Sequence, residues 1–498
     1  MGLKPHPYGY CIQAVKMDVN IFTPLFKARS VALVGASNDP RKWGRRMLNN
    51  LINGGYPGEI YPVNPGEDRI LGLTSYPSVS AIPGTPDLAV IVVPPANVVQ
   101  IVRECVAKGV RAGVVITAGF AELGEKGAQM QHEMVTAARS GGMVLVGPNC
   151  NGFMSPWEKL YVQFPSFFTP AGPIAVAAQS GNVMDALARQ AMLRGIGCSV
   201  TVASGNEADL HIEDYLTYLA DDPHTEVVLS YIEGFKDGRR FFDTARQVTR
   251  KKPIVMIKAG STHSGAGAAA SHTASIAGSD AVFEAACRQS GIIRAGSMTE
   301  MLDIGYALLR QPLPQGRRVG IVTAGGGWGV MAADAAEKMG FDVIRLPEET
   351  IKELDRLLPA WWNRGNPVDL VAGSTPGNIF KAMEVMLNCP VVDAVIMLSI
   401  MPALRVTGFG VSREEAASEN RSAMLVQAVV DAVEHFTRLA VQYRKPVIIA
   451  TEHMFASAEQ EAKINHALGL KRLMCCHMPH EAAAVLKALL SYGEYLRR

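Results

Sequence analysis

The sequence predicts an α/β protein of parallel sheets, with a Rossmann-like first domain and two sister domains behind it. Three observations carry this expectation. One unit recurs along the chain: a short apolar run, a turn of small residues, a helical pattern, a glycine and another apolar run, which is the signature of βαβ crossovers. The length, 498 residues, leaves room for about three domains. A hydrophobic content of 48% with 19% charged residues is that of a globular chain with ample core.

The first unit reads "SVALVGASNDPRKWGRRMLNNLINGGYPGEIYPVNP". A strand over 30–34 meets the turn Gly35-Ala36-Ser37, a helix follows over about 41–53, Gly54-Gly55 stop it, and "EIYPVN" forms the next strand. Further strands are expected in "LAVIVVPP", "AGVVITAGF" and "MVLVGPNCNGF". The dinucleotide fingerprint is incomplete. No G-x-G-x-x-G follows the first strand, and Asn64-Pro65 stands where an acidic residue would bind a ribose hydroxyl. A nicotinamide dinucleotide is therefore disfavoured, and another nucleotide-bearing ligand fits better.

The Pro- and aromatic-rich stretch "SPWEKLYVQFPSFFTPAG" reads as a linker to the second unit, "PIAVAAQSGNVMDALARQAMLRGIGCSVTVASGNEADL". The third unit, "VGIVTAGGGWGVMAADAAEKMGFDVIRL", follows "QPLPQGRR". Aligned by pattern, both have a strand, a small-residue turn (Gln179-Ser180-Gly181; Gly325-Gly326-Gly327), a helix, a glycine and a second strand. The expected organisation is an extension over 1–21, a first domain over 22–155, a second over 168–298 and a third over 317–498.

A small-residue turn that opens a helix aims unpaired backbone N–H groups outward, where the helix dipole adds positive charge. Two such turns predict two anion-binding helix ends; the blander reading of each is a tight turn without a ligand. In "VVLSYIEGFKDGRR" a strand ends at Glu233, and ligand sites in parallel sheets lie beyond such ends. A carboxylate there can orient an imidazole, unless it serves only as a cap or pairs with Arg239 or Arg240. "KAGSTHSGAGAAASHTASIAGSDAVFEAACRQSGIIR" then runs out of a strand into about eighteen small residues that carry His263 and His272. A helix over 280–290 follows, with Ser279 or Asp280 as N-cap and Gly291 as its stop. The position of His272 on a long loop beyond a strand end favours a chemical role.

Composition narrows the partners. The 48 basic and 46 acidic side chains give a net charge of +2, so no nucleic-acid footprint is expected. No membrane span is expected either. The eight cysteines form no CxxC pair, and Cys475-Cys476 beside His477 reads as idle thiols rather than a metal site. The first twenty residues lack the apolar core of a secretory signal and read as a poorly structured extension, so a cytoplasmic protein is expected.

The segments "SVALVGAS", "YPVNP", "GPNCNG", "AQSGN", "GIGCSVTVASGNEAD", "YIEGFKDGRRF", the 258–294 stretch and "NPVDL" together resemble the NDP-forming acyl-CoA synthetases of the succinyl-CoA synthetase superfamily. The likeness runs from about residue 22 and is strongest to alpha subunits of ADP-forming acetyl-CoA synthetase. It implies a Rossmann-like CoA-binding domain followed by two flavodoxin-like parallel-sheet domains. It implies coenzyme A near Gly35, Ala36, Ser37, Asn64, Pro65, Thr117 and Ala118. It implies a transiently phosphorylated His272 supported by Glu233, with Gln179, Ser180, Gly181, Gly325, Gly326 and Gly327 holding the phosphoryl group. The "NPVDL" segment at 366–370 would lie beside the second of these turns. Where the family usually has Gly after the His-Thr pair, this chain has Ala274. No ATP-grasp segment is found, so ATP/ADP with Mg2+ is expected on a separate ATP-grasp beta subunit, in an alpha2beta2 assembly that acts on a small carboxylic acid. The alternative reading is a catalytically silent CoA-binding sensor or scaffold; a nicotinamide-dependent oxidoreductase is suggested by the first domain alone.

Overall fold

The computed structural model describes residues 19–262, 264–265, 280–370, 376–399, 419–451 and 458–498. The first sheet and its flanking hairpin use β1 (Ser30–Val34), β2 (Glu59–Val63), β3 (Arg69–Ile70), β4 (Leu73–Thr74), β5 (Leu88–Ile91), β6 (Ala112–Val115) and β7 (Val144–Val146). Its order is β2-β1-β5-β6-β7, all parallel, with β3-β4 as a separate antiparallel pair. Every residue of β5 and β6 is buried, because helices cover both faces of a parallel sheet. The crossover helices are Trp43–Asn53, Pro95–Ala107 and Glu125–Ser140.

The second sheet contains β8 (Gly152–Ser155), β9 (Leu160–Gln163), β10 (Ala171–Ala178), β11 (Cys198–Ala203), β12 (Val227–Ile232), β13 (Ile254–Lys258) and β14 (Ile293–Arg294), in the order β14-β13-β12-β10-β11-β8-β9. The third contains β15 (Arg318–Thr323), β16 (Asp342–Val343), β17 (Val368–Asp369), β18 (Ala394–Leu398) and β19 (Val447–Ala450), in the order β16-β15-β18-β19 with β17 on β15. Disregarding hairpins, each sheet starts in the middle, steps one strand to one side and then grows on the other. Each therefore has a switch point beside its first strand, where the ends of the strands open a crevice.

The stretch expected to be a linker is structured instead. Strands β8 and β9 form an antiparallel hairpin that joins the second sheet through β11. All of its strand residues are buried, and the helix Trp43–Asn53 of the first domain packs against β9. Asn50 Nδ2 on that helix donates to the carbonyls of Gln163 at 2.7 Å and Pro165 at 3.1 Å.

The last helix, Pro479–Leu496, does more than close the third domain. It packs against β19 and helix Gly326–Lys338 there, and against helix Met298–Arg310 and β14 of the second domain. Tyr492 Oη donates to the Thr249 carbonyl at 2.6 Å, and the hydroxyls of Thr249 and Tyr495 meet at 3.0 Å. The helix Asp280–Ser290 forms where the sequence predicts it, and Gly291 follows with φ +77°. At the other end, Phe22 and Phe26 are buried against Tyr215 and Tyr218 of the helix Ile212–Asp221. The helical turn Val19–Phe22 begins within the stretch expected as an extension, and residues 1–18 lie outside the described residues. No helix among the described residues is long and apolar enough to cross a membrane.

Candidate functional site

Strand β10 ends at Ala178 and the helix Gly181–Leu193 begins three residues later, with Ser180 as its N-cap and no side chain bonded to the cap. The first N–H groups of that helix have no intrahelical acceptor, so the turn offers donors outward. Gln179 turns the other way. Its Oε1 accepts from the backbone N–H of Glu233 at 2.5 Å and of Gly234 at 3.1 Å, while its Nε2 donates to the Gly234 carbonyl at 2.9 Å and to Glu207 Oε2 at 3.0 Å. One side chain therefore ties the helix turn to the end of β12 and fixes the backbone at Glu233, a residue only 8% exposed. The neighbouring arginines are engaged elsewhere: Arg239 pairs with Asp243 at 2.8 Å, and Arg240 bonds Asp214.

Sequence reasoning missed the support beneath this turn. Glu207 sits at φ +50°, buried, with Ser204 Oγ donating to it at 2.7 Å. Burial raises its carboxyl above the ordinary range, while that hydrogen bond and the charges of His211 and Lys236 pull it down. Lys236 donates to the carbonyls of Asn206, at 2.9 Å, and of Glu207, and burial lowers its ammonium below the usual lysine value. Asn206 reaches into the first domain, where its Nδ2 donates to Glu122 Oε2 at 2.5 Å and to Gln131 Oε1 at 3.1 Å. Glu122 in turn accepts from the N–H of Gly119 at 2.5 Å, just past Thr117-Ala118. The motifs "SGNEAD" and "YIEGFKD" are thus one clasp; the only sign of it in the sequence is polar residues crowded just past strand ends.

In the third domain the helix Gly326–Lys338 opens at Gly325, whose N–H donates to Thr323 Oγ1 at 3.1 Å. Gly326 and Gly327 are exposed. A Cβ on Gly326 would approach Asp369 Oδ2 to 2.9 Å, so the "NPVDL" segment does lie against this turn. Asn366 anchors the segment, donating to the carbonyls of Val319 at 2.9 Å and Ile344 at 3.0 Å. No hydrogen bond among the described residues joins this turn to Gln179-Ser180-Gly181. His263, His272 and Ala274 lie outside the described residues.

A cavity of about 430 Å³ opens at the carboxyl ends of the first sheet. Thr117 and Ala118 line it, with Trp43, Pro95, Asn151 and Phe164 among the other walls. Thr117 Oγ1 donates to the Val93 carbonyl at 2.7 Å, which ties two of its walls together. The turn Gly35-Ala36-Ser37 stands next to it rather than in its lining. A Cβ on Gly35, at φ +92°, would lie 2.2 Å from the Val92 carbonyl oxygen, so only glycine allows this approach. Asn64 Nδ2 donates to the Ala36 carbonyl at 2.8 Å, and Asn64 Oδ1 accepts from Gly66 just beyond the exposed Pro65. Ser37 Oγ donates to Glu67 Oε1 at 3.3 Å. Cys150 also borders the cavity; burial pushes its thiol up to about 12, so it stays protonated. Cys475 and Cys476 are buried, and His477 contacts Glu461 at 2.6 Å. Among the described residues no group of three His, Cys, Asp or Glu side chains is placed to hold a metal ion.

Comparison with known proteins gives this architecture a family. Residues 29–156 match a CoA binding domain, 171–308 a succinyl-CoA ligase like flavodoxin domain, and 319–430 a ligase-CoA domain. The chain is 38% identical over 470 residues to the alpha subunit of ADP-forming acetate–CoA ligase II of Pyrococcus furiosus, covering 94% of this chain and 97% of that protein. The chain belongs to the family of ADP-forming acetate–CoA ligase alpha subunits. It is an acid–thiol ligase. The alpha subunit of the isoenzyme I ligase of the same organism is 43% identical over 418 residues, covering 82% of this chain and 90% of that one. A solved acetyl-coenzyme A synthetase of Ca. Korarchaeum cryptofilum, in complex with phosphate and ADP, superposes with a TM-score of 0.82 at 34% identity, covering 96% of this chain and 97% of that chain. The acetate–CoA ligase I of Archaeoglobus fulgidus is 41% identical over 374 residues, which are 75% of this chain and 54% of that protein. Ligase membership removes the oxidoreductase reading of the first domain.

Proposed function

We propose that the chain is the alpha subunit of an ADP-forming acid–CoA ligase that works through a phosphohistidine at His272 and an acyl phosphate. Its three units would be a CoA-binding domain over 22–155 and two ligase domains over 168–298 and 317–498. The observation that carries the reading is the clamp of Gln179 on Glu233. It ties the backbone that carries the buried Glu233 to the turn of a helix end whose N–H groups are open, an arrangement suited to a phosphorylated imidazole. ATP phosphorylates a ring nitrogen of His272, and ADP leaves. A carboxylate oxygen of the acid attacks phosphorus, the N–P bond breaks, and an acyl phosphate forms. The thiol of coenzyme A then attacks the carbonyl carbon, the C–O bond to phosphate breaks, and the thiol proton departs with the phosphate. Passing through a covalent intermediate divides one difficult step into easier ones. Ser180 and Gly181, and Gly325, Gly326 and Gly327, would offer backbone donors to the phosphoryl oxygens.

Coenzyme A would lie against Gly35, Ala36, Ser37, Asn64 and Pro65 and reach into the cavity at Thr117 and Ala118. ATP and Mg2+ would be bound by an ATP-grasp beta subunit in a cytoplasmic alpha2beta2 assembly. Single-chain relatives that extend well past the matched region support a partner of this kind. The test is acid- and CoA-dependent release of ADP by the chain with its partner. His272→Ala is expected to abolish turnover and leave binding of coenzyme A intact. Turnover at the wild-type rate in His272→Ala would refute the mechanism.

A further inference from the structure

The cavity in the first domain and the helix end at Gly181 meet at one side chain. Asn151 lines the cavity. A Cβ on Gly181 would lie 2.3 Å from Asn151 Cγ and 2.6 Å from both terminal atoms of its amide. The amide therefore lies flat against the first residue of the helix, in space that any other residue at 181 would fill. One turn further into that helix, Asp185 Oδ2 accepts from Asn151 Nδ2 at 2.8 Å. Helical side chains lean toward the N-terminus, which brings this carboxylate up behind the amide. Asp185 Oδ1 is buried with no hydrogen-bond partner among the described residues.

This placement has a chemical consequence that rests on the proposed ligase mechanism. An acyl group passing from phosphate to thiol must sit where both can reach its carbonyl carbon. That place lies between the helix end, which would hold the phosphate, and the cavity, which would hold the thiol. Asn151 stands there. Because Asp185 takes its N–H, the amide turns its oxygen away from the carboxylate, and that oxygen is an acceptor with lone pairs to fill. We infer that Asn151 meets the acyl group, that Asp185 positions its amide, and that the pair selects small carboxylic acids bearing a hydroxyl close to the carboxyl group. A plain alkyl chain leaves the amide oxygen unsatisfied once water is displaced. A second carboxylate on the acid would face the charge of Asp185. Sites built to bond a hydroxyl discriminate strongly against analogues that lack it. Burial holds the Asp185 carboxyl up at about 6, against the pull of Asn151 and Arg189, so it remains mostly ionised at neutral pH.

The experiment compares near-isosteric acids with the chain and its partner, reading thioester formation: glycolate against propionate, and lactate against isobutyrate. Wild type is expected to favour the hydroxy acid by at least about 10-fold in kcat/KM. Asn151→Leu is expected to bring the ratio to about 1 by losing the hydroxy acid, with KM for coenzyme A unchanged, and Asp185→Ala to shift it the same way. Asn151→Ser, a smaller change, keeps the test available if the Leu variant fails to fold. A wild-type preference for the alkyl acids overturns the inference. So does an equal loss on both acids in the Asn151 variants. Failure to form a thioester with any of the acids, together with absent coenzyme A binding, would instead overturn the ligase reading beneath it.

Discussion

Single side chains carry most of the chemistry assigned to this protein. Gln179 spends both ends of its amide on the Glu233 turn and on Glu207. Gln179→Leu keeps the volume but leaves two N–H groups, one carbonyl and one carboxylate oxygen short of a partner, at a cost of about 1–3 kcal/mol. Turnover should fall at least about 10-fold, because Glu233 loses its fixed position; urea melts and initial rates would measure the two effects separately. Asp185 behaves differently. Its carboxyl titrates near 6 in the folded chain against a reference of 3.8. The folded state thus holds the proton more tightly, and this group lowers stability as pH rises from about 4 through about 6. Asp185→Asn should therefore stabilise the fold at pH 7 by up to about 3 kcal/mol. That gain should fade below pH 4, and thermal melts from pH 4 to 8 would show it. A gain independent of pH would contradict the assignment.

At the level of elements, much of the fold is legible in the sequence. The strands β1 and β2, the helix Asp280–Ser290 and the turns at 179–181 and 325–327 all lie where apolar periodicity, small residues and caps put them, since those signals are local. What the sequence hides depends on distant partners. The segment of β9 reads as part of a linker because Pro and aromatic residues crowd around it, and it is buried instead because a helix from another domain packs against the strand. The Glu207–Lys236–Asn206 clasp and the Asn151–Asp185 pair join residues more than twenty positions apart, which no local spacing reveals. Gly291 illustrates both kinds of information. A glycine after a helix is a local stop signal, yet the demand at this position is also tertiary, since a Cβ would lie 2.2 Å from the Tyr495 ring. Gly291→Ala, with φ at +77°, should cost roughly 2–4 kcal/mol and loosen the helix that follows the His272 segment. Chemical denaturation should show the loss, and a change under 0.5 kcal/mol, the ordinary range of a surface substitution, would contradict the packing described.

For the whole molecule, three sheets wound in the same way are locked to one another. Asn206 ties the second domain to the first, and the last helix ties the third domain to the second through Tyr492, Tyr495 and Thr249. Such a frame holds the first-domain cavity and the two helix ends in fixed positions; in the proposed mechanism the remaining task is to deliver a phosphoryl group to them. In the proposed mechanism His272 makes that delivery. The most direct test incubates the chain and its nucleotide-binding partner with γ-labelled ATP, then maps the label by mass spectrometry under alkaline conditions that preserve phosphohistidine. The predicted result is an acid-labile phosphate on the peptide containing His272, absent in His272→Ala and discharged by adding acid and coenzyme A. Label retained in His272→Ala, or found on another residue of this chain, would contradict the mechanism.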